Sequence, residues 1–97
     1  MSGFSTRVEL HNASWSHYET LHGSMAVQGF KRTIKADNGV TYQLPTAEYR
    51  FDGFVTKADV LEKAKVAANT TGLNYEIFVV EGDNWISTGL TPVSRAA

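Results

Sequence analysis

Ninety-seven residues carry nine Lys and Arg against ten Asp and Glu, no cysteine, and 42% apolar residues. That length supports one layered domain over 1–97 and excludes a second lobe or a deep enclosed cleft. The net charge of -1 excludes the bulk positive potential that drives tight non-specific binding to polyanions.

Without cysteine there is neither a disulfide nor a thiolate metal site. No apolar run approaches membrane-spanning length, and no basic segment followed by an apolar run opens the chain, so the cytoplasm is the expected location. Asn12-Ala13-Ser14 and Asn69-Thr70-Thr71 match the glycosylation triplet but carry no chemistry there.

Phe4, Thr6, Val8 and Leu10 alternate with Ser5, Arg7, Glu9 and His11, the period of a half-buried strand. The polar run from Asn12 to Ser16 offers N-caps, and Ser16 with Glu19 three residues on has capping-box spacing, so a helix is predicted from there to about Gln28. Tyr18, Leu21, His22, Met25 and Ala26 form its apolar stripe, and Gly29 ends it.

Gly29 to Phe51 reads as two strands folded back at Asp37-Asn38-Gly39. Phe30, Ile34, Val40, Tyr42 and Leu44 flank a dipeptide that readily supplies the two positive φ angles of a tight hairpin. Ala47, Tyr49 and Phe51 fall one residue out of phase with Val40, Tyr42 and Leu44. Pro45 sits at the slip, and a bulge or bend there would re-aim the second half of a long strand.

Thr56 caps a second predicted helix with Asp59 in its first turn, and Val60, Leu61, Ala64, Ala67 and Ala68 form its stripe. Asn74 to Glu81 reads as a fourth strand, apolar on both faces, since Ile77 and Val79 alternate with Phe78 and Val80. Gly82-Asp83-Asn84 is a turn. Trp85-Ile86 either returns as a short extra C-terminal strand or folds over the second face, and Thr91 to Ala97 reads as a frayed tail after an ordered span of about 4–90.

Strand, helix, strand, strand, helix, strand, joined by right-handed crossovers, predicts an α+β, ferredoxin-like βαββαβ domain. In it a four-stranded antiparallel sheet carries two helices on one face and leaves the other open to a ligand, an RNA or a second subunit.

Candidate chemistry is sparse. His11, His17 and His22 lack zinc spacing and the Asp37 and Glu81 turns lack further calcium ligands, so no metal and no cofactor is expected. No Gly-rich phosphate cradle and no nucleophile elbow occurs. Lys31, Arg32 and Lys35 cluster on the second strand with Arg50 and Arg7 on neighbouring segments. The group suits phosphate oxygens, or forms a solvated face whose charges discourage edge pairing.

Alternation puts Arg32 on the face of Phe30 and Ile34, where an unpaired guanidinium is costly. Either the strand is bulged or Arg32 lies at the sheet margin with Glu48 or Asp52; in a nucleolytic reading it would stabilise a phosphorane-like transition state. RNA cleavage by 2′-hydroxyl attack needs only proton transfer and charge stabilisation, and His11 is the best placed general acid or base. His22 reads as a half-buried stripe residue and His17 as a surface residue near a cap. Tyr42, Tyr49, Phe51 and Trp85 suit either base stacking or the core, and the motif of the commonest sheet-based RNA reader is absent from Thr41 to Tyr49.

Val8-Glu9-Leu10-His11, Tyr18-Glu19-Thr20-Leu21-His22, Gly29-Phe30-Lys31-Arg32-Thr33-Ile34 and Tyr42-Gln43-Leu44-Pro45-Thr46-Ala47-Glu48-Tyr49 together resemble the small bacterial proteins grouped with GhoS, the endoribonuclease antitoxins of type V toxin-antitoxin systems. The resemblance runs from about Arg7 to Leu90. It implies a ferredoxin-like fold similar to that of small CRISPR-associated nucleases, and cleavage of a messenger RNA without a tightly bound metal.

The expectation is therefore a small RNA-binding protein or metal-independent endoribonuclease. Arg32 and His11 would be catalytic, and Arg7, Lys31, Lys35, Arg50 and Tyr49 would contact single-stranded RNA. The alternative is a non-enzymatic protein-interaction or homodimerisation module using the open sheet face or the fourth strand. A small-ligand sensor is a third reading.

Overall fold

The computed structural model describes residues 2–93 as β1 (Ser2–Leu10), α1 (Trp15–Val27), β2 (Thr33–Lys35), β3 (Thr41–Gln43), β4 (Glu48–Gly53), α2 (Lys57–Asn69) and β5 (Tyr75–Glu81). The chain is α+β. β1 is central: it pairs antiparallel with β4, from Ser2↔Gly53 to Arg7↔Glu48, and with β5, from Phe4↔Glu81 to Leu10↔Tyr75.

The period of two in β1 decides the layers. Phe4, Thr6, Val8 and Leu10 are buried, and the apolar members form one cluster with Leu21 and Met25 of α1, Val60, Ala64, Ala67 and Ala68 of α2, and Tyr49 of β4. Both helices thus cover the same face, each large buried side chain stabilising by ~1.5–3 kcal/mol. The alanine stripe lets α2 approach the strands closely. Ala26, placed in the stripe of α1 by its spacing, is exposed instead.

The predicted single four-stranded sheet is resolved into two. β4-β1-β5 form a three-stranded sheet and β2-β3 a separate ribbon. The two are joined where Lys31 and Arg50 exchange backbone bonds of 2.8 and 2.7 Å, an isolated bridge on the outer side of β4. The predicted bend at Pro45 makes this division: β3 ends at Gln43, Glu48 N–H closes a turn onto Pro45 O at 2.9 Å, and β4 then joins β1 in the opposite phase.

Three local expectations are corrected. The hairpin loop holds three residues, with Gly39 N–H bonded to Ala36 O at 3.0 Å and Ala36 N–H to Val40 O at 2.9 Å. Only Gly39 is left-handed (φ 84°), so the loop follows the three-residue pattern and Asn38 instead accepts Val40 N–H on its side chain at 2.9 Å. The N-cap of α1 is Ser14, two residues before Ser16, and His17 takes the place expected of Glu19: its Nδ1 accepts Ser14 N–H at 3.0 Å. The helix can start that early because the left-handed Asn12 (φ 56°) turns the chain sharply out of β1.

The third correction concerns the C-terminal part. Trp85-Ile86 forms no strand, and the frayed tail does not begin at Thr91, because Gln43 N–H bonds to Thr91 O at 2.9 Å and Val93 N–H to Thr41 O at 2.8 Å. Residues 82–93 instead run along the hairpin, across one end of the face the helices leave bare, and add a bridge at Tyr42↔Pro92. The rest of the expected tail, 94–97, lies outside the described residues. No helix among the described residues is long and apolar enough to cross a membrane.

Candidate nucleic-acid interface

Glu48, Arg50 and Asp52 point away from the helices, alternating with Tyr49 and Phe51, which face them. Arg50 is only 5% exposed, because the hairpin and the 82–93 segment fold over it. Its Nη1 donates to Ser5 Oγ and to Gly82 O, both at 3.1 Å, its Nη2 donates to the Asp83 carboxylate, and its Nε lies 3.6 Å from Asp52. A Cβ on Gly3 would overlap this guanidinium, so glycine there is a condition of the arrangement. Arg50, expected to bind RNA, is spent on holding β1, β4 and the chain after β5 together.

Arg7 is committed too. It pairs with Glu9 at 2.8 Å and Glu48 at 3.1 Å, and the bond to Glu9 raises its pKa above the ordinary value. His11 Nε2 lies 3.2 Å from Glu76, where β1 and β5 meet. Arg32 is elsewhere. Half-buried, it lies close enough to His22 and Tyr49 for its charge to act on both. Neither Glu48 nor Asp52 pairs with it, since Arg7 and Arg50 hold those carboxylates, and its Nε has no hydrogen-bond partner among the described residues. His11 and Arg32 therefore do not share a site.

Tyr49, also expected to meet RNA, is 1% exposed and stacks edge-on against Phe30, so no base can reach its ring. Burial pushes its phenol well above the ordinary range, and its hydroxyl hydrogen-bonds with His22 Nδ1 at 2.6 Å. Burial, and secondarily the Arg32 charge, hold the His22 pKa below its ordinary 6.5, so the folded protein keeps the imidazole neutral to a lower pH than an exposed histidine would be.

The unfolded chain takes up a proton near pH 6.5 that the folded chain resists, so stability falls as pH drops from that value towards the lower folded pKa. His22→Gln, which cannot titrate, is expected to lose less stability than wild type between about pH 7.5 and about pH 5.5 in urea unfolding. Equal losses in the two proteins would contradict the neutral assignment.

What remains of the basic group is Lys31 and Lys35. Both are exposed, and neither has an ion pair among the described residues. With Thr33 between them and Thr41 opposite, they line a groove of ≈450 Å³ that Trp85 also lines. The groove also holds Asp52, Asp83 and Asp37. Arg50 engages the first two, which leaves two free ammonium groups against one free carboxylate.

No protein-family model matches the chain, and a search of curated proteins finds no significant match.

Sequence reasoning clustered Lys31 and Lys35 on one strand but did not bring Trp85 to them. It missed Gly3 and Asp83, the partners that bury Arg50. Their only sequence signal is the β1–β5 register, which brings Gly82 opposite Gly3 and follows from pairing rather than from composition.

Proposed function

We propose that this domain binds single-stranded RNA in the groove between β2 and the 82–93 segment, within a sheet of split βαβ, ferredoxin-like descent whose outer strand is reduced to the Lys31–Arg50 bridge. The observation that carries the reading is the convergence of Lys31, Thr33, Lys35 and Trp85 on one groove whose Asp52 and Asp83 are already taken by Arg50. Two ammonium groups along one strand suit successive phosphates, and an indole wall suits a stacked base. The likeness to the GhoS-type antitoxins supports the choice of RNA. Binding is proposed rather than cleavage, because no histidine lines the groove.

The test is titration of labelled single-stranded RNA at several salt concentrations. Lys31→Ala and Lys35→Ala are each expected to lower affinity and reduce the slope of log K against log salt by about 0.7. Trp85→Ala should weaken binding by ~1–3 kcal/mol. Absence of salt-dependent binding, or binding indifferent to all three changes, would remove the reading.

A second reading, a protein-interaction module on the bare face, has its own observation. Phe78 and Val80 are 68% and 47% exposed there, beside Arg7, which Glu9 and Glu48 neutralise within the chain. Apolar surface set among neutralised charges suits a protein partner better than a polyanion.

A further inference from the structure

β5 closes one side of the three-stranded sheet, and its register with β1 reveals which of its backbone groups are used. Gly82 N–H bonds to Gly3 O at 2.8 Å and His11 N–H to Asn74 O at 2.9 Å, in line with the pairs Ser5↔Val80, Arg7↔Phe78 and Glu9↔Glu76. Hydrogen-bonded and non-hydrogen-bonded pairs alternate in an antiparallel ladder. Glu76, Phe78 and Val80 therefore turn their N–H and C=O groups to β1, while Tyr75, Ile77, Val79 and Glu81 turn theirs outward. Among the described residues no other strand pairs with that edge.

The side chains sort the same way. Tyr75, Ile77 and Val79 pack against the core beneath the helices, and Phe78 and Val80 stand on the bare face. A seven-residue edge of this composition, with neither proline nor lysine to blunt it, is a template for another strand.

We propose that β5 pairs antiparallel with β5 of a second copy of this chain, across a two-fold axis at Phe78. The proposal deepens the second reading above and rests on it for the choice of surface. A second copy is the occupant because the strand is self-complementary. Outward-turned residues must meet outward-turned residues, and full overlap of Tyr75–Glu81 then sets Ile77 opposite the partner's Val79 and Phe78 opposite itself.

On the covered side this pairing continues an apolar layer. On the bare side the two Phe78 rings meet at a non-hydrogen-bonded position, with Cβ atoms ~4.5–5.5 Å apart. Glu76 falls opposite Val80 and Tyr75 opposite Glu81, so no like charges oppose. Arg7 is already paired with Glu9 and Glu48 within the chain, so the strand's bare-face neighbours hold no free cation to select an acidic peptide instead. The lysine groove lies at the other side of the sheet, beyond β4, and stays accessible in the dimer.

Two measurements test this. Sedimentation of the full chain over a concentration series is expected to show a monomer–dimer equilibrium that Val79→Pro abolishes. Proline there removes an outward N–H, leaves the β1 ladder intact and keeps an apolar side chain, somewhat smaller than valine's, against the core. Because the chain has no cysteine, Phe78→Cys supplies a single thiol on the proposed axis. It is expected to form a disulfide-linked dimer about tenfold faster under mild oxidation than Val80→Cys, which would face Glu76 of the partner.

A wild-type chain that stays monomeric at every attainable concentration overturns the proposal, as do equal cross-linking rates or a dimer that tolerates Val79→Pro. In that last case, loss of the dimer in Phe78→Glu would still uphold the second reading, and its persistence would remove that reading as well.

Discussion

Arg50→Ala is expected to lower stability by about 3 kcal/mol and to release residues 82–93 from the sheet. The guanidinium donates to Ser5, Gly82 and Asp83 from a nearly fully buried position. Hydrogen bonds from a charged group contribute ~1.5–3 kcal/mol each, but Asp52 and Asp83 are partly exposed and regain water when the arginine is gone, so the sum is well below the maximum. Urea unfolding gives the stability. Trp85 fluorescence, read in a Trp15→Phe background, reports the release.

Gly3→Ala should reproduce much of the effect, because the new methyl group occupies the guanidinium's place. The double variant should then cost less than the sum of the singles. A loss under about 0.5 kcal/mol for Arg50→Ala, within the range of ordinary surface changes, would mean that the buried arginine is not what holds the segment. The same variant should leave the Lys31 and Lys35 contribution to RNA affinity detectable only if the groove survives, so the groove is tested with the lysine variants and not with Arg50.

Tyr49→Ala is expected to cost ~3–5 kcal/mol, the range for deleting a large buried aromatic ring. Its ring lies among Phe30, His22 and the residues of α1 and β1, with no solvent path. Tyr49→Phe keeps the ring and removes only the hydroxyl that hydrogen-bonds with His22 Nδ1, so it should cost about 1 kcal/mol. It should also change the His22 imidazole signals in NMR while leaving RNA affinity as in wild type. An RNA defect in a folded Tyr49→Phe would show that this face, and not the lysine groove, meets the nucleic acid.

Patterns of period two and 3.6 were sufficient for the elements. The alternation from Phe4 to Leu10 named the buried face of β1 correctly, and the out-of-phase triplet around Pro45 announced the break between β3 and β4, because both are properties of neighbouring residues on one strand. The doubly apolar run from Ile77 to Val80 likewise announced a strand, but the cover expected over its second face is absent among the described residues, where Phe78 and Val80 stand exposed. The cap of α1 was misplaced by two residues because Ser16 and Ser14 are chemically equivalent as caps, and the left-handed Asn12 that decides between them is a backbone fact.

Local pattern could not allot charges to partners. Arg7, Arg32 and Arg50 look alike in a list of cations near one hairpin. Register gives Arg7 to Glu48, the crossing of the chain after β5 gives Arg50 to Asp83, and a half-buried position beside His22 leaves Arg32 with no carboxylate.

The sequence by itself determined the α+β class, the burial of one face of β1 by two helices, and the bend at Pro45, since each depends on side chains within a turn or two of one another. Only the tertiary structure decided which cations remain free for a ligand and that Tyr49 is closed to one. Ion pairing and exposure depend on which distant segments the fold brings within a few ångströms: the 82–93 segment, placed by long-range backbone bonds to β1 and β3, takes Arg50, and the core beneath α1 closes over Tyr49.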